Sequence, residues 1–177
     1  MMTRLCVLLG LAGSLLAQQQ KHISPAPGKE PSGIALTVYL VSGFAQPQAV
    51  KEEVPQAVSE ALQELREVFK YKSYGLIEVV TLRGRNLSGA EVAGVLPDRS
   101  QYDFKYARAR ISPESPRILH LDGLRLEITR GHSGRNETIA LVSTDLDVRD
   151  GQKTVIGKSV VNGADALFLV IVPKVID

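Results

Sequence analysis

Residues 34–41 read Ile-Ala-Leu-Thr-Val-Tyr-Leu-Val, an almost unbroken run of apolar and β-branched side chains closed by Ser42 and Gly43. A run of this kind suits a strand covered on both faces. What covers it is written next. From Pro55, a residue that fits the first turn of a helix because its missing N–H costs nothing there, Ala57, Val58, Ala61, Leu62, Leu65, Val68 and Phe69 recur at spacings of three and four. That period makes one apolar stripe. Glu52, Glu53, Glu60, Glu64 and Glu67 fall on the wet side, and Lys70 and Lys72 follow the end, where positive charge suits the helix dipole.

Beyond the helix the pattern alternates with period two, over 76–83, 91–96, 101–111, 118–121, 124–129, 139–148, 154–160 and 166–175. Asp122-Gly123, Asp150-Gly151 and Asn162-Gly163 each offer the positive-φ pair that tight hairpins prefer, so antiparallel pairing is expected. The fold class read from these signals is α+β: one amphipathic helix packed on a mostly antiparallel β-meander or sandwich, spanning 34–177 as a single domain.

Upstream, Arg4 precedes an apolar stretch from Leu5 to Leu16 and then Ala17. A bilayer-crossing helix needs about 20 residues, whereas a secretory h-region needs about 7–15. Residues 1–17 therefore read as a signal peptide cleaved after Ala17, although Leu15 is larger than the usual residue two positions before the cleaved one. Residues 18–33, with Pro25, Pro27 and Pro31, read as a disordered leader. The one cysteine, Cys6, departs with the signal, so the exported domain is held by its core without disulfides, which fits a bacterial periplasm better than an animal secretion. No integral membrane span is expected after cleavage. Loss of Arg4 leaves 20 basic against 19 acidic side chains. That balance gives no broad field for nucleic acid, and no nucleic-acid partner is expected.

Motifs that carry chemistry fail on spacing. Gly157-Lys158-Ser159 lacks the glycine a phosphate loop needs, since Gln152 stands in its place, and the segment opens no helix. Asp145, Asp147, Asp150 and Gly151 resemble a calcium loop, but the third carboxylate is one position late and Ile156 replaces the closing glutamate. His22, His120 and His132 have neither cysteine nor histidine partners at ligand spacing, so no metal and no other cofactor is expected. His120 and Asp122 with a serine keep a hydrolase reading open, without a G-x-S-x-G elbow. Asn86-Leu87-Ser88 and Asn136-Glu137-Thr138 match the glycosylation pattern, yet both asparagines suit ordinary turns.

The one surface pattern worth a binding hypothesis is 102–110, where Tyr102, Phe104, Tyr106, Arg108 and Arg110 alternate onto one face of a strand. Aromatics interleaved with arginine form a stacking platform. The plainer reading plugs the core with the rings and caps its rim with the arginine stems.

The closing stretch DVRDGQKTVIGKS and DALFLVIVPKVID resembles the final hairpins of the secretin module of bacterial outer-membrane secretion and pilus channels. The matching positions are Gly151, Val155, Ile156, Gly157, Leu167, Leu169, Ile171 and Pro173, with Lys158-Ser159 departing from the pattern. The likeness covers the last quarter of the chain and implies an accessory place in such an assembly. The expectation is a non-catalytic exported envelope protein acting through protein contacts, by addition of a strand to a free sheet edge. A small-ligand or glycan module using Tyr102, Tyr106, Arg108 and Arg110 is the first alternative, and a hydrolase the second. Nothing in the pattern specifies an oligomeric state.

Overall fold

A computed structural model describes residues 33–47, 55–132, 135–161 and 165–176, with the backbone alone at 57, 132 and 157–161. The signal peptide, the leader up to residue 32, Glu52, Glu53 and the expected Asn162-Gly163 turn lie outside the described residues, while Gly33, expected to end the leader, already opens the first strand. The elements run β1 (Gly33–Phe44), α1 (Gln56–Val68), β2 (Ser73–Arg85), β3 (Ala90–Val95), β4 (Gln101–Tyr106), β5 (Arg108–Ile111), β6 (Ile118–His132), β7 (Arg135–Arg149), β8 (Thr154–Val161) and β9 (Asp165–Ile176). They form two antiparallel sheets. One has the order β2-β1-β9-β8, while in the other β3 pairs β4, and β4, β5 and β7 all pair β6. The chain is a β-rich α+β protein with one short helix.

The run 34–41 is the centre of the first sheet, as its composition implies. Ile34, Leu36, Val38 and Leu40 are fully buried in one apolar cluster with Phe104, Leu119, Leu126 and other side chains of the second sheet. Val41, on the opposite side, joins Val58, Ala61, Leu62 and Leu65 of α1. The last strand shares this burial. In β9, Leu167, Leu169 and Ile171 face the inter-sheet cluster while Ala166, Phe168 and Val170 face the helix. Pro173 is tolerated so near the centre because its carbonyl, and hence its ring nitrogen, points away from β1. On that side the ladder with β8 begins only at Ile171, and Gly151 N–H donates to the Pro173 carbonyl at 2.9 Å.

The stripe buries Val58, Ala61, Leu62 and Leu65, each large side chain contributing about 1.5–3 kcal/mol of transfer free energy. Val68 departs from the expectation and is 70% exposed. The helix ends there: Phe69 is already extended, and it turns its ring onto Phe168 at 5.0 Å between centroids. The Tyr74 hydroxyl closes this end, within reach of the carbonyls of Phe69 at 2.7 Å and Leu65 at 3.1 Å. Pro55 sits just before the helix rather than within its first turn.

Two of the three expected hairpin turns are something else. Asp122-Gly123 is no turn: 118–132 is one strand, and the pair marks a bulge where its register with β7 shifts between Leu121 and Leu124. Gly123 takes φ +64°, and its N–H is held by the Asp145 carboxylate at 2.6 Å. Asp150-Gly151 is a turn, with Gly151 at φ +74°, but it carries the chain from β7 in one sheet to β8 in the other. β8 and β9 do pair as the expected antiparallel hairpin. Asn136 lies within β7 rather than in a turn.

Candidate functional site

The strand expected over 101–111 is interrupted at Ala107, whose N–H donates to the Asp122 carbonyl at 2.9 Å, opposite the bulge in β6. Two successive residues, Ala107 and Arg108, therefore face outward and the alternation changes phase. Phe104 and Tyr106 are buried, at 0% and 2% exposure, whereas Arg108 and Arg110 lie exposed on the other face. Tyr102 is half-buried over Gly94 of the edge strand β3, where an added Cβ would meet its ring at 2.6 Å. The proposed face of rings and arginines is thus divided between the two sides of the sheet. Period two identifies a shared face only while a strand stays regular.

On the outer face, cross-strand pairs use the groups that suggested catalysis or metal. Arg110 meets Asp122 at 3.5 Å, and His120 Nδ1 meets Asp147 Oδ1 at 2.6 Å, so the carboxylate beside His120 is Asp147 and not Asp122. Asp145 holds the bulge, and Asp150 accepts from Val175 N–H at 2.9 Å. Among the described residues no three histidine, cysteine or carboxylate side chains converge as a metal site requires. A shallow depression of about 620 Å³ on this face includes Asp103, Lys105 and Glu127. Its charges are largely paired: Lys105 meets Asp103 at 3.2 Å, and hydrogen bonds from Arg125 and then Thr138 hold the Glu127 carboxyl below its ordinary pKa.

A different site opens at one end of the inter-sheet cluster. A cavity of about 320 Å³ lies between Ser42, Ile77 and Leu167 of the first sheet, Ile128, Ile139 and Ala140 of the second, and Leu96 just past β3; Leu76 borders it too, but its side chain packs on the helix side of the sheet. Two of the side chains aimed at it are small. Ser42 stands opposite Leu167, and Ala140 opposite Ile128, at positions where larger residues elsewhere along these strands fill the space between the sheets. A cavity of this size falls at the lower end of small-molecule pockets, which are mostly apolar with a few fixed polar groups.

Here those polar groups are the Ser42 hydroxyl within and Asp98, Ser100, Arg130 and Asp165 around it. The β3–β4 turn positions Asp98 and Ser100, with Leu96 N–H donating to the Ser100 carbonyl at 2.8 Å and Arg99 at φ +68°. Asp98 Oδ1 accepts from Ser100 N–H at 3.0 Å and from the Ser100 hydroxyl, which is 1% exposed, and Oδ2 accepts from Arg130 Nη2. Burial pushes the Asp98 carboxyl up, but the Ser100 and Arg130 hydrogen bonds outweigh it and hold the group below its usual pKa. The carboxylate stays charged and pins the guanidinium. Across the mouth, Asp165 Oδ1 accepts from Ala45 N–H at 2.9 Å. Leu96-Pro97-Asp98 was readable as turn chemistry. No short-range pattern joins it to Arg130 or Asp165, which come from other strands.

Compared with known protein families and with curated proteins, the chain finds no match in either.

Proposed function

We propose that this chain is an exported, non-catalytic binding protein of the bacterial envelope, built as a two-sheet sandwich whose end cavity takes a small amphipathic ligand. The observation that carries the reading is the cavity's construction: largely apolar walls from both sheets, with an arginine held at the mouth by a carboxylate that also accepts both Ser100 donors. Residues 1–17 supply the export signal in this reading. The Tyr102 to Arg110 face is set aside as its binding surface, because Phe104 and Tyr106 are buried in the core.

The test is titration of the purified chain with a neutral fluorescent apolar probe, N-phenyl-1-naphthylamine. Saturable one-to-one binding that is lost in Ile139→Trp, which fills the cavity, supports the reading. Binding that survives this variant unchanged removes it. Fractionation of the native cell should place the processed chain in the periplasm, and intact chain in the cytosol would overturn the export assignment.

The secretin likeness supports a second reading, contact with a secretion or pilus component, through the β8–β9 hairpin whose β8 stands at the end of its sheet's strand order. Crosslinking in the native envelope that recovers no such partner counts against it.

A further inference from the structure

We infer that the ligand of the end cavity is a small zwitterion with an apolar side chain, a free amino acid or a short apolar peptide; this rests on the cavity being the binding site. The inference comes from which polar groups at the mouth still have capacity to bind. Asp98 has little to spare, since one oxygen takes both Ser100 donors and the other takes Arg130. Arg130 gives one N–H to Asp98, so the rest of its five-donor fork is available, and its side chain is 40% exposed. Asp165 gives Oδ1 to the Ala45 N–H and keeps Oδ2. A donor fork on β6 and an acceptor oxygen on β9 therefore line the same cavity from opposite sheets.

Charge decides what these two groups accept together. Among the described residues lining the cavity, Asp98 and Arg130 cancel, leaving the negative charge of Asp165. A ligand with only a carboxylate satisfies Arg130 but is repelled by Asp165. One with only an ammonium pairs Asp165 and leaves the guanidinium donors unmatched. A zwitterion answers both, its carboxylate on the Arg130 fork and its ammonium on Asp165. Apart from the Ser42 hydroxyl, the remaining volume is apolar: Ile77, Ile128, Ile139 and Leu167 surround a space about twice the roughly 150 Å³ that accommodates a benzene ring. That selects leucine-like or aromatic side chains over polar ones.

The experiment is calorimetric titration of the purified full chain with leucine and phenylalanine, with leucyl-leucine, and with two compounds sharing leucine's apolar body, 3-methylbutylamine and 4-methylpentanoate. Leucine or phenylalanine should bind at least about tenfold more tightly than the lone amine or the lone acid, a difference of one charge-assisted contact. Asp165→Asn keeps the acceptor for Ala45 N–H and removes the charge, so it should weaken leucine and the amine while leaving the acid unchanged or stronger. Arg130→Gln, with Arg130→Lys as the variant that keeps the charge but not the fork, should weaken leucine and the acid while sparing the amine. Tighter binding of leucyl-leucine than of leucine supports the same chemistry with a peptide as its source. If all these compounds displace the neutral probe with equal affinity, the zwitterion inference fails and the cavity stands. If neither they nor the neutral probe bind, both fail.

Discussion

Adding one methyl group at Gly84 isolates a single contact in the core. A Cβ on that residue of β2 would stand 1.9 Å from the Tyr106 hydroxyl oxygen, 3.2 Å from the ring carbon bearing it and 3.3 Å from Ala90 Cβ. The ring cannot retreat, because Tyr106 is 2% exposed and packed within the inter-sheet cluster. Gly84→Ala should therefore cost about 1–3 kcal/mol or more through overpacking. The hydroxyl is itself a liability, being buried without a hydrogen-bond partner among the described residues, and burial raises its pKa. A buried unpartnered hydroxyl costs about 1–3 kcal/mol, so Tyr106→Phe should be neutral or stabilising. With the oxygen gone, the nearest contacts for the new methyl become tight but bearable, and most of the Gly84→Ala penalty should vanish. Urea unfolding of the two single variants and the double variant, compared at constant m-value, measures this coupling, expected at about 1–3 kcal/mol. A loss above about 1 kcal/mol for Tyr106→Phe alone, or the same Gly84→Ala penalty in both backgrounds, would refute the reasoning.

Other expectations concern the helix and the turn beside the cavity. Leu62→Ala or Leu65→Ala should cost about 2–5 kcal/mol in the same assay, since each lies buried between α1 and the sheet. Val68→Ala, at the exposed end of that stripe, should stay within about 0.5 kcal/mol of the parent. Tyr74→Phe should cost about 1 kcal/mol by removing the hydroxyl that serves the last helical carbonyls, and hydrogen exchange at 65–69 should rise with it. Because the folded pKa of Asp98 lies below its unfolded value, its contribution is complete above the ordinary carboxylate pKa of about 4 and is lost as pH falls through the folded value. Asp98→Asn should accordingly flatten the acid side of the stability profile, and an unchanged slope would show that the Ser100 and Arg130 contacts do not hold the charge.

The sequence was most informative where a strand or helix is regular over its length. The central burial of 34–41, the helix stripe up to Leu65 and the apolar last strand follow from periodicity and run length, because side-chain direction repeats with the backbone. Where the backbone departs from regularity, the reading slipped. Asp122-Gly123 has the composition of a hairpin turn, yet its positive φ serves a bulge, and only the neighbouring strands decide between the two. The break at Ala107 has no local signature at all, and it moved Arg108 and Arg110 to the face opposite Phe104 and Tyr106. The cavity was not legible for a related reason. Its mouth joins Asp98, Arg130 and Asp165 from a turn and two strands in different sheets, and its volume depends on Ser42 and Ala140 being small where two sheets meet.

The central claim, that the end of the inter-sheet space is where this protein binds, is tested most directly by methyl-resolved NMR during titration with N-phenyl-1-naphthylamine and then leucine. The account predicts that the methyl signals of Ile77, Leu96, Ile128, Ile139 and Leu167 shift saturably while those of Leu82 and Leu119, away from the cavity lining, stay in place. Shifts confined to the outer face around Val95 and Leu141, or no saturable shift at the five cavity residues, would contradict it.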